Sequence, residues 1–237
     1  MNILYLTNHL DIGGISSYCL TLAAGMKKLG HNVYIASSAG ELKPRFESAG
    51  AVFIPIPIKT KSEISLNVYF SRSKLLKVIK ENNIEIIHAN TRVTQVLSFF
   101  LERANGKPYV STCHGFFKKR LFRRVFPCWG KKVIAISESV KRHLIEDFKV
   151  RQEDIRIVHS GINTDKFVTP APGTREEMKR KLGLGYGPVA GIVARLSEEK
   201  GHIYLIEAMQ EVIAAIPDAQ LIIVGEGKMK QKTHQPG

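Results

Sequence analysis

The sequence predicts an α/β protein built on a parallel sheet with helices on both faces, followed by a shorter second segment of the same kind. Three observations carry this reading. Short apolar runs alternate with stretches of helical periodicity from the first residues onward. Those runs are near-continuous rather than alternating, which suits strands covered on both sides. A Pro/Gly-rich stretch, Thr169-Pro170-Ala171-Pro172-Gly173, interrupts the series and marks a boundary between residues 1–168 and 169–237.

The elements follow in order. Asn2–Leu6 reads as a first strand. Ile15, Tyr18, Cys19, Leu22, Met26 and Leu29 recur at helical spacing, and Gly30 ends that helix. Val33–Ala36 is a second strand, Glu41–Ala49 a short helix ended by Gly50, and Ala51–Ile54 a third strand. Pro55 and Pro57 break regularity. Leu66–Glu81 is helical with Leu75, Leu76 and Ile79 inward. Ile84–His88 and Pro108–Thr112 are strands around a helix over Thr91–Ala104. Phe116–Phe126 reads as a basic helix, Lys132–Ala135 as a strand, and Ser137 as the cap of a helix running to about Asp147. Ile155–Val158 closes the first segment. The second offers a short helix to Lys181, strand Val189–Ala194, helix Ile203–Ala215 and strand Leu221–Val224. Lys228–Gly237 is polar, lacks apolar periodicity and reads as disordered.

Composition narrows the class. The 237 residues are 44% hydrophobic and 24% charged, as in globular proteins. No apolar run approaches the roughly 20 residues of a membrane span, and the start has no basic region of a signal peptide. Cys19, Cys113 and Cys128 are too scattered for a disulfide framework, so a cytoplasmic setting is expected. The net charge of +14 points to anionic partners. Its clusters are Arg72, Lys74, Lys77 and Lys80, and the run Lys118–Arg124, whose cations interleave with Phe116, Phe117, Leu121, Phe122, Val125 and Phe126. That run fits an interfacial helix on an anionic membrane, or a helix packed on its domain with a basic face in water. Nucleic acid is not expected, since no zinc, helix-turn-helix or RNP pattern accompanies the charge.

Parallel sheets bind ligands at the carboxyl ends of their strands, and each chemistry-bearing motif falls at such an end. Gly13-Gly14 lies between the first strand and first helix, as a tight turn or as a place where a ligand approaches the backbone at a helix N-terminus. His114 ends a strand before Gly115, with His88, His9 and Asn90 as weaker candidates; a lone histidine is also often structural. Arg195 and Lys200 flank a strand-to-helix turn, either a phosphate site or a solvated loop. Gly225-Glu226-Gly227 turns out of the last strand. No D-x-D, H-E-x-x-H or cysteine cluster suggests a metal.

Taken together, Asp11-Ile12-Gly13-Gly14, Ser111-Thr112-Cys113-His114-Gly115, Gly161-Ile162-Asn163-Thr164-Asp165 and Arg195 to Lys200 resemble the retaining, nucleotide-sugar-dependent glycosyltransferases of family four. Ser160 stands where that family has asparagine. The resemblance implies a GT-B fold: a complete acceptor-side first domain and the first part of a donor domain. It implies sugar transfer to an acceptor hydroxyl, carbohydrate or lipid-linked, in envelope polysaccharide or glycolipid synthesis, at the inner face of a membrane. It implies donor-diphosphate contacts from Gly13, Gly14, Arg195 and Lys200, a nucleotide loop at Gly225, Glu226 and Gly227, and sugar contact from His114, with no metal or other cofactor. A non-catalytic binding fragment and a GT-B epimerase or phosphorylase are the alternative readings. The family's later acidic motif lies beyond this chain, so residues after Pro170 are expected to be the less stable part.

Overall fold

The computed structural model describes residues 1–60, 62–63 and 65–227, and it divides into two compact units, Met1–Thr164 and a second beginning at Asp165. The tail expected to be disordered lies outside the described residues.

In the first unit, β1 (Asn2–His9) runs on beyond the apolar core of its motif into Thr7, Asn8 and His9. Period-two alternation sends Ile3 and Tyr5 to one face and Leu4 and Leu6 to the other, each into its own buried cluster. On the Ile3 face lie α1 (Gly14–Lys28) and α2 (Lys43–Ser48), with Cys19, Ala23 and Phe46 buried. On the Leu4 face lie α3 (Leu66–Glu81) and α4 (Arg92–Asn105), contributing Leu75, Ile79, Val93, Leu97 and Leu101. β2 (Asn32–Ser38), β3 (Val52–Pro55), β4 (Ile86–Ala89), β5 (Tyr109–Cys113), β6 (Lys132–Ala135) and β7 (Ile155–Ile157) complete the sheet. All pairings are parallel, in the order β3-β2-β1-β4-β5-β6-β7. The chain winds outward from β1 to β3, then crosses back to β4 on the other side of β1. That reversal opens a crevice at the carboxyl ends of β1 and β4.

Helix starts are set by hydroxyls. Ser65 Oγ accepts from Asn67 N–H, Thr91 and Thr94 form a reciprocal capping box, and Ser137 Oγ accepts from Val140 N–H to begin α6 (Glu138–Phe148). Gly106, at φ 72°, ends α4 in the left-handed conformation that glycine adopts without strain.

One expected element is different. The segment 116–126 is not one amphipathic helix: only Leu121–Val125 is helical, α5, after an irregular run. Phe117 turns inward against Trp129 and Phe148, and its N–H donates to His143 Nε2 at 2.9 Å. His143 is fixed in turn by Asp147 at 2.7 Å, which also holds Lys119 at 2.6 Å. These contacts tie the segment to α6.

The second unit holds α7 (Thr174–Lys181), β8 (Val189–Val193), α8 (His202–Ala215) and β9 (Gln220–Val224), with β8 and β9 paired in parallel. Among its described residues only Gly187, Leu196, His202 and Met209 are buried. No helix among the described residues is long and apolar enough to cross a membrane.

Candidate functional site

The loop from β1 to α1 forms one lip of a cleft of about 410 Å³ lined by Gly14, Tyr18, His114, Ile136 and Gly161, among others. α1 begins without a side-chain cap and without an acidic residue in its first turn, so its leading N–H groups remain available beside the cleft. Gly13 sits at φ 175°, extended backbone that any residue adopts. Gly14 instead supplies space, since a β-carbon there meets nothing within 4 Å. The glycine on which the loop's shape depends is Gly40, where a β-carbon would collide with the Leu10–Asp11 backbone. Asp11 is clamped by Lys59 at 2.8 Å and approached by His9 at 3.3 Å. The hydrogen bond from Lys59 holds its carboxyl below the usual range.

The far wall is His114, just past β5. Its Nε2 lies 3.3 Å from Asn90 Oδ1, just past β4, and Tyr18 of α1 meets the imidazole edge-on at 4.7 Å. Burial pushes the ring down to about 4, so it is neutral near pH 7. One layer behind, His88 is buried with its Nε2 2.7 Å from Thr112 Oγ1. Burial, with the nearby His114, lowers His88 to about 3. Burial also raises the Tyr18 phenol, an effect opposed by its hydrogen bond to Thr112. His88 is therefore a supporting residue, and His9 faces Asp11. Tyr18 was not singled out from the sequence because its link to His114 joins residues far apart in the chain.

A second cavity in this unit, about 450 Å³, is apolar and lies where α3, α4 and α5 meet. Val68, Tyr69, Phe100, Phe122 and Phe126 line it, with Arg72 at its edge. Buried Arg92 holds the neighbouring chain in place: it pairs with Glu63 at 3.1 Å and donates to Pro127 O and Phe126 O, both at 2.6 Å. Leu121, Phe122 and Val125 are exposed, as are Tyr69 and Phe70. Arg123 lies over the Phe117 ring at 3.9 Å, and burial lowers it to about 10.

In the second unit the two expected motifs adjoin. Leu196 N–H donates to Glu226 O at 2.9 Å and Ala194 N–H to Val224 O at 3.0 Å, so the Arg195 turn and the Gly225-Glu226-Gly227 turn lie side by side at the carboxyl ends of β8 and β9. A β-carbon at Gly225 would collide with Ala194 O, and one at Gly227 with Leu196 O. These glycines are needed for that approach. The Arg195 side chain is 72% exposed and only 4.0 Å from Glu199, a loose pair that leaves the guanidinium open. Lys200 is exposed, and Gly201 at φ 68° leads directly into α8. His202, in the first turn of that helix, is buried with neither ring nitrogen hydrogen-bonded. No group of three or more His, Cys, Asp or Glu among the described residues could hold a metal ion.

A doubly wound sheet with its cleft at the carboxyl ends of its strands, followed by a second parallel βα unit, has the GT-B type of α/β fold. Residues 12–166 match Glycosyltransferase Family 4 and residues 174–236 match Glycosyl transferases group 1. The chain belongs to glycosyltransferase family 4. The phosphatidyl-myo-inositol mannosyltransferase of Mycobacterium tuberculosis is 29% identical over 238 residues, covering 95% of this chain and 60% of its own length. A glycosyltransferase from Rickettsia africae superposes with a TM-score of 0.83 at 23% identity, covering 97% of this chain and 61% of that one. Anabaena HepE in complex with UDP-glucose superposes at 0.79 and 20% identity, over 98% of this chain and 62% of that one. The chain thus spans about 60% of the length of each of these proteins.

Proposed function

We propose that this chain serves the transfer of a sugar from a nucleotide-sugar donor to the hydroxyl of a lipid-linked or carbohydrate acceptor, with retention, in glycolipid or envelope-polysaccharide synthesis. The observation that carries this reading is the cleft at the sheet's carboxyl edge, where the uncapped start of α1 and the neutral imidazole of His114 face one space. The helix N-terminus suits an anionic diphosphate, and a neutral imidazole suits sugar hydroxyls.

Arg195 and Lys200 supply fixed cations for the negative charge that grows on the departing nucleoside diphosphate. Gly225-Glu226-Gly227 forms the nucleotide side of that turn, and the scheme uses no divalent metal. The named substrate of the mycobacterial relative supports a lipid acceptor. So does the apolar cavity edged by Arg72, close to the exposed apolar side chains of α5, which fits docking at the anionic cytoplasmic face of a membrane.

The test is a panel of UDP-, GDP- and ADP-hexoses incubated with the chain and vesicles carrying phosphatidylinositol or diacylglycerol. The product's anomeric configuration is read by NMR. An α-linked product from an α-linked donor supports the reading; an inverted product refutes retention, and no transfer with any pair refutes the activity.

A further inference from the structure

We infer that Asn90 is a positioning residue that fixes His114 in its Nε2–H tautomer, leaving a bare Nδ1 as the nitrogen available for a ligand hydroxyl. The inference rests on the reading that the cleft receives a sugar, but its evidence is the hydrogen bonding around Asn90.

Asn90 is buried, 1% exposed, between β4 and α4. Its Nδ2 donates to His88 O at 3.2 Å and to Leu6 O at 3.4 Å. The backbone N–H of Asn90 also donates to Leu6 O, at 3.0 Å, which seats the residue against β1. Turning the amide over would set its oxygen against two carbonyl oxygens with no proton between them. The amide therefore has one orientation, with Oδ1 toward His114 Nε2. An amide oxygen only accepts, so Nε2 must carry the proton. In a neutral imidazole the other nitrogen is then a lone-pair acceptor. Burial, which lowers His114 to about 4, keeps the second proton off near pH 7.

His114 Nδ1 has no hydrogen-bond partner among the described residues, and the ring lines the cleft. Tyr18 closes on the ring from α1, so rotation is opposed from a second element. The consequence is chemical selectivity. A bare Nδ1 accepts from a hydroxyl and finds no proton on the esterified, fully ionised diphosphate of a nucleotide sugar. His114 thereby recognises the sugar part of a ligand and leaves the diphosphate to donors elsewhere.

The experiment is a long-range 1H–15N correlation spectrum of the 15N-labelled full chain at pH 7, without ligand. The expected pattern for His114 is one protonated nitrogen, Nε2, and one bare nitrogen, Nδ1. An Nδ1–H tautomer or an imidazolium would overturn the inference. Asn90→Ala should lose the single tautomer and show both; a variant that folds and keeps the pure Nε2–H form would also overturn it. If Asn90→Ala does not fold, the wild-type spectrum still decides. Dimethyl phosphate, whose oxygens carry no proton at pH 7, should leave the Nδ1 signal in place, and a shift induced by it would contradict the acceptor assignment. These readouts need no turnover, so their failure is separable from failure of the transfer reaction itself.

Discussion

Thr112 Oγ1 lies 2.7 Å from His88 Nε2, joining two buried side chains one layer behind the cleft wall. The same hydroxyl opposes the rise in the Tyr18 phenol, whose ring packs on His114. Thr112→Val keeps the shape and removes the partner. Leaving a buried imidazole nitrogen unsatisfied should cost about 1–3 kcal/mol, read by urea denaturation. Unchanged stability would mean the ring finds water or another partner.

Acid should unfold the first unit early. Burial holds His88 near 3 and His114 near 4, both below the unfolded value near 6.5. The unfolded chain therefore binds protons at higher pH than the native one. Stability is complete above pH 6.5 and falls with pH toward 4 for His114 and 3 for His88. Each ring contributes a slope of about 1.4 kcal/mol per pH unit inside its window. Denaturation midpoints measured from pH 7 to pH 4 should drop, and His114→Ala should flatten the curve. A midpoint independent of pH across that range would contradict the buried neutral pair.

Two glycines make opposite predictions. Gly225→Ala forces a β-carbon onto Ala194 O, so it should destabilise the second unit by about 1–3 kcal/mol and speed amide exchange across 220–227. Gly14→Ala meets nothing and should leave stability within about 0.5 kcal/mol. Equal behaviour of the two variants would remove the argument that close approach, not turn chemistry, fixes these positions.

The contrast shows what the sequence made legible. The helix over Leu66–Glu81, the cap at Ser137, the strand Lys132–Ala135 and the burial of Cys19 were readable because each depends on local periodicity or one capping side chain. The run Phe116–Arg120 was misread as helix because its path is set by Trp129, His143 and Phe148, residues its own periodicity does not report. The same holds at the site. His114 was visible as a histidine at a strand end, while Tyr18, Gly40 and the orientation of Asn90 depend on contacts made across the sheet.

Charge on the α3–α5 surface should govern membrane binding. Each cation near an anionic surface contributes about 1 kcal/mol, so Arg72→Glu and Arg124→Glu should each weaken co-sedimentation with phosphatidylserine vesicles several-fold. Binding should fall with salt. Equal binding to neutral and anionic vesicles would contradict the electrostatic part of the proposal.

The proposed action of His114 on the sugar of a nucleotide-sugar donor is tested by the rate of nucleoside diphosphate release with acceptor vesicles present. His114→Ala should release it at least about 100-fold more slowly, as when a positioned catalytic contact is lost, while its melting temperature at pH 7 stays close to wild type. Release at the wild-type rate by a folded His114→Ala protein would contradict it.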